Sequence, residues 1–341
     1  MTLSPPEDPQ FLPFKLDTVG RRILWLRLDA AQRHEAAFLD DRALPPQAEG
    51  GWMPWDSLPA TNPTGASVAA DAIFHIGHCG STLLSRLLDS WTEVQGLREP
   101  LPLRSLAEAW PWLDLPESRL SPTEAPRLLL ALWSRWSQPL APHRRSVVKA
   151  TSSCNGLIDP LLSQQPTMRA ILLDMPLRPY LATLLKSPGS VHDAANAAAE
   201  RLRDLHARGC ADGIALHGLT LPQQCAMGWL AERLRFGAIA QGEHGARVLR
   251  MDFEELLADP ERELRRAAAH LQLDPAGVTD ALASSAWGRY SKAQTHGYGR
   301  QDRAHDLELA TQRYGKEVAE GEEFVEAFVH RHPGLRAAVF A

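Results

Sequence analysis

The sequence predicts an α/β fold: a mostly parallel sheet flanked by helices, with an N-terminal addition. Three observations predict it. From residue 70 onward, short oily runs alternate with stretches of helical spacing, the pattern of strands joined by crossover helices. The first such pair, AIFHIGHCGSTLLSRLLD at 72–89, passes from strand to helix through a glycine turn with nothing between. Ahead of it, the segment 44–67 collects Pro, Gly and Asn and reads as a loop or tether. The expected division is an addition over 1–69 packed on a core domain over 70–341.

Taken in order, residues 1–19 are turn-rich, RRILWLRLD gives a short strand and AAQRHEAAFLD a short helix. After the glycine turn, EVQGL predicts a strand ending at Arg98, Glu99 and Pro100, and 122–137 predicts a helix. RRSVVKATS is a strand ending near Lys149, and MRAILLDMP is another at 168–176. RPYLATLLK starts a helix with its proline near the beginning, where a missing backbone donor costs little. Long helical patterns occupy 193–208 and 221–240, followed by a strand in ARVLRMDF. Asp259-Pro260 marks a helix start. The remainder, 278–292 and 303–332, mixes helix and loop around YSKAQTHGYGRQD.

Composition narrows the function classes. The 341 residues are 44% hydrophobic and 23% charged, with 36 Lys and Arg against 41 Asp and Glu, a net charge of −5. That balance is ordinary for a soluble globular chain and lacks the broad positive field needed to grip a nucleic-acid polymer. Residues 1–22 show no basic region followed by an apolar core. No later run approaches the roughly 18 apolar residues of a membrane span, so a cytoplasmic chain is expected. Cys79, Cys154, Cys210 and Cys225 lack paired metal-site spacing and read as isolated thiols.

The turn itself carries chemistry. Gly77 and Gly80 allow backbone geometry and close approach that a side chain would obstruct. If Ser81 and Thr82 begin a helix, its unpaired N–H groups and their hydroxyls make a cradle for a phosphate or sulfate. The nucleotide triphosphatase loop G-x-x-x-x-G-K-[ST] differs, because Ser81 follows Gly80 where that loop has lysine.

This strand, turn and helix resemble the sulfotransferase family, whose loop reads G-x-x-R-S-G-T-T-L-L. Here the stretch is Gly77-His78-Cys79-Gly80-Ser81-Thr82-Leu83-Leu84. A second resemblance is MDFEELLADPERELRRAAAHLQLD at 251–274, similar to that family's late Y-E-D-L, acidic-proline and F-L-G-L region. The resemblance covers about 70–275. It implies a P-loop-like three-layer sandwich, 3′-phosphoadenylyl sulfate as donor, no obligatory metal, and sulfuryl transfer to a hydroxyl or amine of a small-molecule or lipid-like acceptor.

Site residues follow from the resemblance. Gly77, His78, Cys79, Gly80, Ser81 and Thr82 would hold the donor's phosphosulfate, with His78 in place of the loop's usual basic residue. Glu99, after the next strand, would be the general base. His78 or Lys149 would stabilise leaving-group charge, and His75 is a weaker base candidate. The family's strand ending in R-x-P, followed by a serine, holds the donor's 3′-phosphate. Here Asp174 stands at the Arg position and would repel phosphate, Arg178 would compensate, and Thr183 would replace the serine across one extra residue. Apart from the resemblance, the late stretch RYSKAQTHGYGRQDR offers Arg289, Lys292, Arg300 and Arg303 either to close over the donor or as a positively charged solvent loop. Two other classes stay open: an ATP-dependent phosphotransferase, and a noncatalytic nucleotide-binding or protein-interaction module, the latter motivated by Asp174. Trp91, Trp110, Trp112, Trp133 and Trp136 fill the core or form a lipid-facing or homo-oligomer surface.

Overall fold

The computed structural model describes residues 7–59 and 69–340. The N-terminal part forms an antiparallel sheet of β1 (Phe11–Asp17), β2 (Arg22–Arg27) and β3 (Gly50–Pro54), in that order. The central sheet holds β4 (Asp71–His75), β5 (Val94–Arg98), β6 (Arg145–Lys149), β7 (Ala170–Asp174) and β8 (Val248–Asp252). Its order is β5-β6-β4-β7-β8, and every neighbouring pair is parallel. A short antiparallel ribbon, β9 (Arg289–Tyr290) and β10 (Ala293–Gly297), lies late in the chain. The chain is thus an α/β protein with a five-stranded parallel sheet flanked by helices.

Strands β4, β5 and β7 are buried along their whole length, and β6 is buried after its first residue, as expected when helices cover both faces. The helix Ser81–Leu88 follows β4 and turns Leu84, Leu87 and Leu88 into the core, leaving half-buried Leu83 on the other side. Trp91, Trp133 and Trp136 are buried, whereas Trp112 is exposed.

Two expectations need correction. The turn-rich reading of 1–19 misses β1, and the loop reading of 44–67 misses β3. Residues 60–67 of that segment lie outside the described residues. Strand β3 was hidden by its own glycine: a Cβ on Gly50 would collide with the carbonyl oxygen of Trp25 on β2, so close backbone approach excludes a side chain there. The N-terminal part is tied to the core by buried arginines. Arg33 Nη1 donates to Gln95 Oε1 at 3.2 Å, and Arg135 Nε donates to Phe11 O at 3.1 Å.

Candidate functional site

The site is built where β4 ends. The amide of Gly77 donates to His75 Nδ1 at 3.0 Å, which leaves the imidazole proton on Nε2, donated to Ala150 O at 3.0 Å. Both ring nitrogens are therefore used, and burial, followed by the charge of Lys149, keeps the His75 pKa well below the usual range. His75 shapes the turn and is not free to act as a base. Its carbonyl accepts from Asn155 Nδ2 at 2.9 Å, and the same amide donates to buried Glu232 at 2.7 Å.

Gly77, His78 and Gly80 all have positive φ, at 86°, 51° and 79°. This left-handed stretch reverses the strand directly into a helix. At Gly80 a second constraint acts, because an added Cβ would stand closer than 3.0 Å to the ring of Phe253, which follows β8. The first helical bond runs from Leu84 N–H to Gly80 O at 3.1 Å. The amides of Ser81, Thr82 and Leu83 therefore lie at the open, partially positive end of the helix.

This end faces a pocket of about 470 Å³ that also takes in His78, Glu99, Lys149 and Thr183. Six basic side chains line it (Lys149, Lys186, Arg289, Lys292, Arg300 and Arg303) against two acidic ones, Glu99 and Asp193. Lys149, Lys186 and Arg303 are ion-paired with Glu99, Asp306 and Glu254, so the local positive excess comes chiefly from Arg289, Lys292 and Arg300, a field that suits an anion in a chain of net negative charge. The late segment contributes four of the six and is braced by its own contacts. Arg303 pairs with Glu254 and lies 5.1 Å over Phe253, Arg300 lies 5.2 Å over Trp287, and Tyr290 meets Tyr298 edge-on at 5.7 Å.

Glu99 and Lys149 form an ion pair, and the Glu99 amide donates to Lys149 O at 2.7 Å. Lys149 is 1% exposed, and burial lowers the pKa of its ammonium even with Glu99 beside it. Glu99 has φ +53°, unusual for a residue with a side chain. His78 Nδ1 lies 3.3 Å from Ser190 Oγ. Burial first, then Lys292, depresses the His78 pKa to about 4, so the ring is neutral at pH 7 and acts as a hydrogen-bonding group, not a charge.

Three sequence-derived positions fall elsewhere. Cys79 is buried away from the pocket with Sγ donating to Leu173 O at 3.4 Å, and burial pushes its thiol up to about 12. Arg178 is 58% exposed, pairs with Glu322 at 2.6 Å and lines a different cavity of about 750 Å³. Its expected role beside the turn is not supported, because the helix Leu177–Leu185 sends Thr183 toward the turn and Arg178 to the other side. Asp174 lines that second cavity too, where Arg233 at 2.7 Å and Arg250 at 2.9 Å share its Oδ2. It is neutralised within the protein and does not face the pocket of the turn, so the expected repulsion of phosphate does not arise.

Sequence reasoning missed Phe253, Lys186, Ser190 and Asp193. Phe253 was inside a recognised strand-to-helix stretch, but its approach to Gly80 is a contact between residues 173 positions apart that no local pattern encodes. Among the described residues, no group of three or more His, Cys, Asp or Glu is gathered as a metal site would need.

No protein-family model and no curated protein sequence matches the chain. Among solved structures, the chain is similar to the sulfotransferase STF1 from Mycobacterium tuberculosis, at 16% identity and TM-score 0.39 over 76% of this chain and 80% of that one. It is similar to the sulfotransferase domain from the curacin biosynthetic pathway, at 14% identity and TM-score 0.36 over 76% and 99%. A sulfotransferase from Alicyclobacillus acidocaldarius follows at 15% identity and TM-score 0.35 over 78% and 97%.

Proposed function

We propose that the chain transfers a sulfuryl group from 3′-phosphoadenylyl sulfate to a hydroxyl or amine of a small-molecule or lipid-like acceptor. One observation carries this reading: the open amide end at Ser81, Thr82 and Leu83 shares a single basic pocket with an ion-paired carboxylate, Glu99, and a buried ammonium, Lys149. The loop sequence Gly77–Leu84 supports it, and so does the fit of the pocket to a multiply charged anion. The donor supplies an activated sulfur–oxygen bond whose cleavage leaves charge on a phosphate oxygen.

The chain's own residues have distinct tasks. The amides of Ser81, Thr82 and Leu83, with the two hydroxyls, bind the oxygen on which charge collects as the bond breaks. Neutral His78 adds a hydrogen bond at the same turn. Lys149, held in place by its ion pair with Glu99, supplies positive charge that needs no reorganisation. Glu99 accepts the proton of the acceptor hydroxyl or amine as the new bond to sulfur forms. Thr183 and Lys186, with the late cations, hold the second phosphate of the donor.

Calorimetric titration with adenosine 3′,5′-bisphosphate and with ATP, followed by a donor-dependent transfer screen, tests the reading. The bisphosphate is expected to bind more tightly than ATP, and Thr82→Ala to weaken it. Equally weak responses to both nucleotides, unchanged by Thr82→Ala, overturn it.

A further inference from the structure

We infer that the N-terminal segment sets the position of Glu99, with Arg98 as the positioning residue that transmits its hold. This rests on the reading of Glu99 as the base given above. The chain gives Glu99 a left-handed backbone with φ +53°, a conformation that persists in a residue with a Cβ only where its surroundings over-determine it. Those surroundings come largely from residues 33–39.

Arg98 is 0% exposed and reaches the end of the helix Ala30–Glu35. Its Nη1 donates to the carbonyls of Arg33, His34 and Ala36 at 3.3, 3.0 and 3.0 Å, oxygens that a helix C-terminus leaves without partners. Its Nη2 pairs with Asp89, which also takes His34 Nδ1 at 2.8 Å and the Gly96 amide at 2.7 Å. The main chain repeats the hold. Leu39 N–H donates to Arg98 O at 2.7 Å and Leu39 O accepts from Leu101 N–H at 3.3 Å, so one N-terminal residue grips the chain on both sides of Glu99. Next to it, the Phe38 ring lies 5.8 Å from Lys149 Nζ, the partner of the Glu99 carboxylate.

A second arginine extends the same hub. Arg86, on the helix that starts at the glycine turn, donates through Nη2 to Glu35 O at 3.2 Å and through Nε to Ser291 O at 2.9 Å. The end of one short N-terminal helix is thus bonded to Arg98, the strand tip next to Glu99, and to Arg86 on the turn helix, which in turn holds Ser291, the residue beside Lys292. Residues 33–39, within the stretch that looks like an accessory, are what fix the base relative to the anion cradle.

The test compares the full-length chain with Arg98→Lys, which keeps the charge and loses the fork, and with His34→Ala, which removes a 62% exposed ring from Asp89 and leaves the core intact. Turnover, affinity for adenosine 3′,5′-bisphosphate and amide exchange are read for each folded variant. For Arg98→Lys, kcat is expected to fall by about 30- to 100-fold, the scale of a misplaced catalytic group, with bisphosphate affinity within about twofold. Exchange should quicken in a peptide spanning 97–101 and stay unchanged across 77–84. His34→Ala should show the same pattern at about 3- to 10-fold, and it decides the matter if Arg98→Lys does not fold. Exchange at 97–101 like that of the parent, or a bisphosphate affinity that falls in step with kcat, overturns the inference. If the parent itself neither transfers sulfate nor binds the bisphosphate, the functional reading fails, and exchange at 97–101 alone then decides whether this segment holds Glu99.

Discussion

Replacing Gly80 and Gly77 separately with alanine separates two reasons for a glycine. Both residues sit at positive φ, where an L side chain costs about 1–2 kcal/mol. At Gly77 that is nearly the whole cost, since the nearest atom to an added Cβ is Ser152 Oγ at 3.4 Å, an ordinary contact. At Gly80 the Cβ must displace the Phe253 ring, and overpacking of this kind adds about 1–3 kcal/mol. Gly80→Ala should therefore destabilise by about 2–5 kcal/mol in urea unfolding, and Gly77→Ala by about 1–2 kcal/mol. Because Phe253 also lines the pocket, Gly80→Ala should weaken adenosine 3′,5′-bisphosphate in calorimetry by about tenfold or more, equivalent to about 1.4 kcal/mol. Equal losses of stability in the two variants would show that the Phe253 contact does not dictate Gly80.

Further outcomes follow from the same geometry. Glu99→Gln should lower kcat by about 10²- to 10⁴-fold while leaving bisphosphate affinity near that of the parent, as measured by steady-state transfer and calorimetry. His78 is neutral in the folded chain down to about pH 4, whereas its unfolded form takes up a proton near the ordinary pKa of 6.5. The unfolded state thus binds more protons between these values, so the His78 contribution to stability is intact above pH 6.5 and is lost as pH falls toward 4. The stability of the parent relative to His78→Gln should drop across that window by up to roughly 3 kcal/mol, read from urea melts at each pH. Asp174→Asn removes the carboxylate shared by Arg233 and Arg250 and should cost about 3 kcal/mol or more of stability, with bisphosphate binding unchanged, because Asp174 lines the other cavity.

Much of the architecture was legible because parallel strands buried on both faces are continuous apolar runs. Ile73, Val148 and Ile171 announce their strands without any tertiary knowledge. The turn was legible for a related reason: Gly77 and Gly80 interrupt two opposite periodicities within four residues. Glu99 and Lys149 could be named because both end recognised strands, yet nothing local says that β5 and β6 are neighbours or that the two side chains pair. Asp174 and Arg178 show where local reading fails. A strand-tip residue and the first turn of the next helix point according to long-range packing, here toward Arg233 on the helix Leu221–Gln241 and Glu322 on the helix Gly315–Arg331. The hold of residues 33–39 on Glu99 was invisible for the same reason: Arg98 reaches main-chain carbonyls that every sequence possesses, across more than 60 positions.

The strand order has a consequence for how this scaffold can change. After β4 the chain travels out to the sheet margin at β5, doubles back to β6 beside β4, and only then passes over to β7 on the opposite flank. The connection leaving β4 consequently heads toward β5 while those leaving its neighbours β6 and β7 head toward β8, and they part above the tip of β4, the kind of switch point that leaves a gap. A solute can enter that gap without prying packed helices apart, and a lineage can refashion the residues around it while the supporting hydrogen-bond ladder stays whole.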